Sequence, residues 1–218
     1  NVIFTTSPTF SQASLKAAIA NPKITILNCS LHDPHTSMRT YYARMHEAKF
    51  IMGAVAGSMA AHDKIVYIAD YPIYGTIANI NSFAQGVKMT NPRAKIHLLW
   101  SCLKDVDVEE QIKQLQPDCV SDKDLSVPEA GTRYYGLYMS YPDSIWNLAI
   151  PIYNWGKFYE QLIEAILNGT WKADDSKNVK AINYWWGMAE NAIEVISSPW
   201  LPEGIKKLIN LLTKTIRS

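Results

Sequence analysis

Three apolar runs of this chain stop on groups that can hold a small molecule without reacting with it. KIVYIA ends in Asp70, Tyr71 and Pro72, KIHLLW ends in Trp100 and then Ser101, and PDCVS is followed by Asp122, Lys123 and Asp124. A carboxylate accepts two hydrogen bonds from neighbouring hydroxyls or one from a ring N–H, and a hydroxyl both gives and takes. An aromatic face adds stacking on a flat ring, on the order of 1 kcal/mol. The same residue types recur as Thr6 and Ser7 after NVIFT, Ser30 after TILNC, and Asn154 with Trp155 after IPIY. Tyr71, Trp100 and Trp155 as stackers, with Thr6, Ser7, Ser30, Asp70, Ser101, Asp122, Asp124 and Asn154 as polar partners, form a set suited to a small planar or polar ligand. Each has a plainer reading beside it. The rings can be core packing, which is how Trp185 and Trp186 in NYWW are read, and Asp122 with Asp124 can be a solvated loop capped by Lys123. Asn147 and Asn154 can hydrogen-bond a base or tie down hinge backbone, and the residues do not separate the two.

Other chemistries find less support. HDPH brings together His32, Asp33 and His35, but neighbouring loop residues rarely converge on one ion without further ligands, and Pro34 suggests a turn. No metal and no cofactor is expected. Ser101 and Cys102 lack the G-x-S-x-G context of a nucleophile elbow, and neither G-x-x-x-x-G-K-[ST] nor G-x-G-x-x-G occurs, so neither catalysis nor a glycine-loop phosphate cradle is expected. Cys29, Cys102 and Cys119 are odd in number and far apart, each near the end of an apolar run, and read as buried free thiols. A net charge of +1 from 21 basic and 20 acidic residues, well interleaved, leaves no footprint for nucleic acid or an anionic membrane surface.

The elements that must carry these residues follow from periodicity. Of the 218 residues, 48% are apolar, with 12 Tyr and 7 Trp, enough for one large domain or two lobes. No stretch approaches the roughly 18 apolar residues of a membrane span; Phe50 to Ala61 is the longest candidate and is flanked by Lys49 and His62. Strands are expected at 1–7, 23–30, 64–69, 95–100, 118–121 and 134–139. Helices are expected over 11–20, 38–61, 76–89, 108–115, 155–167 and 203–216, while 140–151, with two prolines and no period, reads as a connection. The run from 64 to 100 is then one βαβ unit, and ligands of open α/β sheets sit beyond the carboxyl ends of the strands. Two α/β lobes joined by short connections are expected, with residues 1–62 and 148–196 in lobe one, 63–147 in lobe two, 197–218 as a C-terminal helix, and a binding cleft between the lobes.

In order, NVIFTTS, TILNCS, YYARMHEAKFIMGAVAGSMA, KIVYIADYPI with INSFAQGVKMTNP, IPIYNWGKFYEQLIEAILNGTW, and NYWWGM with AIEVIS resemble the basic membrane protein family of substrate-binding lipoproteins from nucleoside-type ABC importers. The resemblance implies an α/β, two-lobed type I periplasmic-binding-protein fold with parallel sheets flanked by helices. It also implies a non-enzymatic role: closing on a purine nucleoside or base and delivering it to an ABC transporter permease. Extracytoplasmic, lipid-anchored placement follows from the same likeness. Relatives that keep the fold as a sensor supply the rival reading, a ligand-sensing domain of a cytoplasmic regulator. Family members carry a further β-α-β-α portion, a signal peptide and a lipid-attachment cysteine ahead of the strand that NVIFTTS resembles, so lobe one is expected to be partial. An exposed edge at Val2 to Thr5 is then expected to pair with a second copy or to leave a disordered amino end. If the absent portion carries the stacking residues, the chain could also be a remnant that binds nothing. Asn191 stands where the family pattern has glycine, and Asn tolerates the left-handed backbone such a turn needs.

Overall fold

The computed structural model describes residues 1–31, 35–123, 131–141, 144–170 and 183–218. Its contacts divide the chain into two units, one formed by Asn1–Arg44 with Asn154–Ala192, the other by Met45–Tyr153 with Ile193–Ser218.

The first unit starts with β1 (Val2–Thr5), a 3-10 turn at Pro8–Phe10, α1 (Ser11–Ala20), β2 (Thr25–Cys29) and β3 (Arg39–Ala43). It is completed by α5 (Trp155–Leu167) and β9 (Asn183–Trp186). The four strands are parallel in the order β1-β2-β3-β9, which leaves β1 at an edge. Because side chains alternate across a strand, one face gives Ile26 to Ala18 and Met38 beside α1, and the other gives Leu27 and Tyr41 to Phe158 and Leu162 of α5. Tyr41 stacks on Phe158 at 4.9 Å, and Trp186 meets Phe158 edge-on at 4.9 Å, the geometries that ring quadrupoles favour.

The second unit holds α2 (Met45–Met59), β4 (Lys64–Ala69), α3 (Tyr74–Thr90), β5 (Lys95–Trp100), α4 (Val108–Leu115), β6 (Cys119–Ser121), β7 (Leu137–Tyr141), β8 (Ser144–Tyr153), β10 (Ile193–Ser197) and α6 (Glu203–Arg217). Its six strands run β10-β8-β7-β6-β4-β5; β5, β4 and β6 are parallel and the rest antiparallel. Helices α2 and α3 approach until a β-carbon on Gly53 would collide with the Phe83 carbonyl and one on Gly86 with that of Phe50. The small residues of FIMGAVAGSM and Gly86 are therefore a contact requirement. On the opposite face Val108, Ile112 and Leu115 of α4 cover Val66, Ile68, Leu99 and Val120.

Several expected elements are observed between the same residues, among them α1, β4, β5, α4 and α5. Two differ. The helix expected over 38–61 is a strand followed by a helix: RTYYA is an aromatic, β-rich string that finds β2 on one side and β9 on the other, and only from Met45 does the chain turn helical. The connection expected over 140–151 is the paired strand β7–β8, with Tyr141 opposite Ser144. Pro151 is tolerated because it lies beyond the last β7 partner, Ala149, where only β10 runs alongside.

The unit boundaries fall at 44/45, 153/154 and 192/193, while those expected from the sequence are 62/63, 147/148 and 196/197. Helix α2 belongs with the second unit because it packs on α3, and α6 joins that unit through contacts with α2. On the first-unit side the three crossings are tied together. Arg44 N–H donates to the Trp186 carbonyl at 2.7 Å and Asn154 N–H to that of Ala192 at 2.9 Å, while the Arg44 guanidinium lies 3.1 Å from Glu190, which also accepts from Gly187 N–H at 2.6 Å. Burial pushes the Glu190 carboxyl up, but these donors prevail and hold it below its ordinary value. Asn191 takes the left-handed turn at φ 58°.

The three cysteines are free. Cys119 is fully buried while Cys29 and Cys102 are half-buried, so the expectation of burial holds fully for one; burial pushes the Cys29 thiol up to about 11 and Cys119 up to about 12. No helix among the described residues is long and apolar enough to cross a membrane.

Candidate functional site

In the second unit the parallel strands β4, β5 and β6 deliver their carboxyl ends side by side, since Tyr67 is in register with Leu98 and Ser121. Asp70 follows Ala69 and is only 4% exposed; its Oδ1 accepts from the Ser101 hydroxyl at 3.4 Å. Asp122 follows Ser121. Its N–H donates to the Gly136 carbonyl at 2.8 Å, and its Oδ1 accepts from Lys123 N–H at 2.7 Å. Gly136 is required there, because at φ +61° a β-carbon would sit 2.6 Å from the Ala149 carbonyl oxygen. Burial pushes the Asp122 carboxyl above its ordinary value and Asp70 adds to that, while the Lys123 N–H and the charges of Lys123 and Lys49 oppose it. Burial, and then the Asp122 charge, raises the neighbouring Tyr138 phenol.

Lys49 is the group that sequence reading missed. It is 0% exposed on α2, its Nζ donates to Ser121 Oγ at 3.1 Å, and it lies 5.1 Å from the centre of the buried Tyr67 ring. Its signal is the spacing Met45, Lys49, Met52, Ala56, which puts one cation on the buried stripe of an apolar helix. The rings at these strand ends differ in use: Tyr71 is 59% exposed, followed by exposed Ile73 and Tyr74, and Trp100 is half-buried.

Among the described residues the first unit's carboxyl ends bring no two carboxylates together; β3 ends instead on Arg44, paired with Glu190. Thr6 is exposed, and Ser7 accepts from Thr9 N–H at 3.3 Å and so caps the 3-10 turn. Asn28, fully buried, donates to Thr5 Oγ1 at 2.8 Å and to the Ser7 carbonyl at 2.9 Å. Its Oδ1 and the Ser30 hydroxyl, 3% exposed, have no partner among the described residues. A buried polar atom left so costs about 1–3 kcal/mol unless water or a ligand meets it. Trp155 is half-buried against Tyr41, Phe158 and Tyr159, edge-on to Tyr41 at 5.3 Å and parallel to Tyr159 at 6.4 Å. Asn154 opens α5 without a side-chain cap.

Of the remaining candidates, Asn147 ties backbone, donating to the Arg133 carbonyl at 2.6 Å. Trp186 packs on Phe158, whereas Trp185 is exposed. His35 Nδ1 accepts from Ser37 N–H at 3.0 Å, and among the described residues no three His, Cys, Asp or Glu side chains cluster as metal ligands would. Asp124, His32 and Asp33 lie outside the described residues.

The second unit thus gathers Asp70, Asp122, the buried Lys49 and accessible rings at its strand ends, groups suited to holding a small molecule. The chain is 25% identical, over its whole length, to a purine-binding protein of Brucella abortus, and 23% identical over 93% of its length to a Haloferax volcanii protein named for glucose binding in an ABC transporter. It spans 63% and 52% of those proteins. The fold is shared with a transcriptional activator from Bacillus halodurans (TM-score 0.71, 13% identity, all of this chain and 78% of that one). It is shared also with an ABC transporter solute-binding protein from Conexibacter woesei (TM-score 0.65, 12% identity, 98% and 76%). Residues 1–112 match the family described as ABC transporter substrate-binding protein PnrA-like, and the chain belongs to that family, Bmp.

Proposed function

We propose that this chain is the ligand-binding part of an ABC importer's solute-binding protein and that its ligand is a purine nucleoside or base. The observation that carries the reading is the carboxylate pair of the second unit, Asp70 and Asp122, beside Tyr71 and Trp100 on adjoining strand ends. A purine offers ring N–H donors and a flat face, and a ribose adds adjacent hydroxyls; those are what carboxylates and rings recognise. The named function of the Brucella relative supports purine over sugar, the Haloferax relative being the less similar of the two.

In this proposal Tyr71, Trp100, Ser101, Asp122 and Asp124 serve from the second unit, and Thr6, Ser7, Ser30, Asn154 and Trp155 from the first. The backbone passes between the units three times. Ligand contacts made by both units at once stabilise a closed arrangement over an open one by their differential affinity, and delivery to a permease follows release. No bond is made or broken. Extracytoplasmic placement on a lipid anchor belongs to the same proposal, as does self-association through the edge strand β1.

Calorimetric titration with adenosine, guanosine, inosine, adenine and glucose tests the ligand. Heat with at least one purine and none with glucose is expected; silence with every purine overturns the assignment. The activator that shares the fold supports a second reading, ligand sensing by a regulator. Loss of purine uptake on deletion of the gene supports import, and unchanged uptake with altered purine-responsive transcription supports sensing.

A further inference from the structure

Three places far apart in sequence carry the chain into or out of the first unit: Arg44, Asn154 and Ala192. The turn Gly187 to Asn191, GMAEN, joins all three. It is fixed from below, since Met188 and Ala192 are fully buried, the Ala192 N–H donates to the Gly187 carbonyl at 2.9 Å, and Asn191 supplies the left-handed residue. Glu190 lies three residues after Gly187, the separation at which the glutamate of a capping box reaches back to a backbone N–H, and its Oε2 takes the Gly187 N–H at 2.6 Å. The same oxygen lies 3.1 Å from the Arg44 guanidinium, whose other arm donates to the Trp185 carbonyl at 2.8 Å. On the far side of the turn the Ala192 carbonyl takes the Asn154 N–H at 2.9 Å, and Trp155, the first residue of α5, follows directly. One carboxylate therefore connects the ends of β3 and β9 and, through the turn it closes, the start of α5.

We propose that Glu190 is a positioning residue for the ligand site: bonded to Gly187 and Arg44, it clasps the three crossing segments into one piece of the first unit and so presents Asn154 and Trp155 to the ligand in a single arrangement. For its ligand this rests on the purine-binding reading, and for everything else on bonds within the first unit. An ion pair whose side chains are 27% and 36% exposed adds little to stability, so the clasp acts on conformation. A ring already held in place gives up less freedom on binding, and affinity rises without a new contact.

The test compares the native protein with Glu190→Ala and Glu190→Gln, each also in a Trp155→Ala background. Amide hydrogen exchange without ligand is read at Arg44, Asn154 and Ala192, whose N–H groups all donate within the clasp, with Ile26 and Leu27 of β2 as reference. In Glu190→Ala the three amides are expected to exchange at least about tenfold faster, with the reference unchanged. Glu190→Gln, which still accepts from Gly187 but offers Arg44 no charge, is expected to show a smaller rise at the same three, and it decides the matter if Glu190→Ala does not fold. Adenosine affinity of Glu190→Ala is expected to fall about three- to fivefold, and the same substitution is expected to cost little further once Trp155 is alanine, because it acts through that ring. A structural role alone predicts faster exchange that reaches β2 and an affinity loss of equal size in both backgrounds. Either result, or unaltered exchange at the three amides in both variants, overturns the proposal. Native protein that binds no purine overturns the ligand reading instead, and the exchange still judges the clasp.

Discussion

The carboxyl edges of the two sheets are made of different material. In the second unit, strands 4 to 6 end on Asp70, Ser101 and Asp122 around a dry lysine, and the rings beside them, Tyr71 above all, are open to solvent. In the first, β1 and β2 end on hydroxyls and an amide and β3 on Arg44, paired with Glu190 at 3.1 Å, and the aromatic rings are spent on each other, with Trp155, Tyr41, Phe158, Tyr159 and Trp186 forming one cluster. Buried charge contributes little to the stability of a fold even when paired, whereas packed rings contribute much. The first unit's edge is built around packing, while the second unit's edge keeps buried carboxylates and a lysine where rings could have packed.

Substitutions that separate the two roles sharpen the contrast, and the largest effect belongs to packing. Phe158→Ala removes the ring at the centre of the first unit's cluster and is expected to cost about 3–5 kcal/mol in denaturant unfolding, with the Asp122 titration unaltered. A cost below about 1 kcal/mol would deny the cluster its role. Next, Asp122→Asn is expected to weaken purine affinity about a hundredfold, close to 2.7 kcal/mol by calorimetry. The same variant is expected to be more stable than the native protein at pH 7 without ligand. The sign follows from linkage: a carboxyl raised in the folded state favours folding below its unfolded value and loses that contribution as pH rises through the folded one, so at pH 7 the ionised native Asp122 opposes folding and the amide does not. Equal affinity, or lower stability, would return Asp122 to the solvated-loop reading.

A smaller effect is expected of Trp155→Ala, about tenfold in affinity if one face of its ring meets the ligand. Unchanged affinity with lowered stability would assign the ring to packing alone, as its contacts with Tyr41 and Tyr159 allow. Smallest of all, Ser30→Ala removes a buried hydroxyl with no partner among the described residues, and its ligand-free stability is expected to rise or stay within about 1 kcal/mol. A larger loss would mean that the hydroxyl has a structural partner.

Much of the fold is legible in the chain because strand and helix alternate with clear punctuation: Asn21 and Pro22 after α1, Asp70 to Pro72 after β4, Asn168 and Gly169 after α5. What escapes local reading depends on distant partners. RTYYA is a strand because β2 and β9 flank it, and the prolines around 142 and 151 hide a strand whose pairing with β7 and β10 no periodicity records. For the site, strand ends direct attention to Asp70, Ser101 and Asp122, but Lys49 is hidden in a helix whose pattern reads as core. Asn28 is hidden too, inside the apolar run TILNC. Asn147 shows the opposite failure, a residue with the right chemistry near a strand end that turns out to bind the backbone of Arg133.

The central claim is that the second unit's carboxylates hold a purine, and titrating adenosine into native protein and into Asp122→Asn by calorimetry tests it most directly. The account predicts saturable heat with the native protein and a loss of about a hundredfold in affinity with the variant, which should remain folded and melt at a higher temperature. Equal binding by both proteins, or none by either, would contradict it.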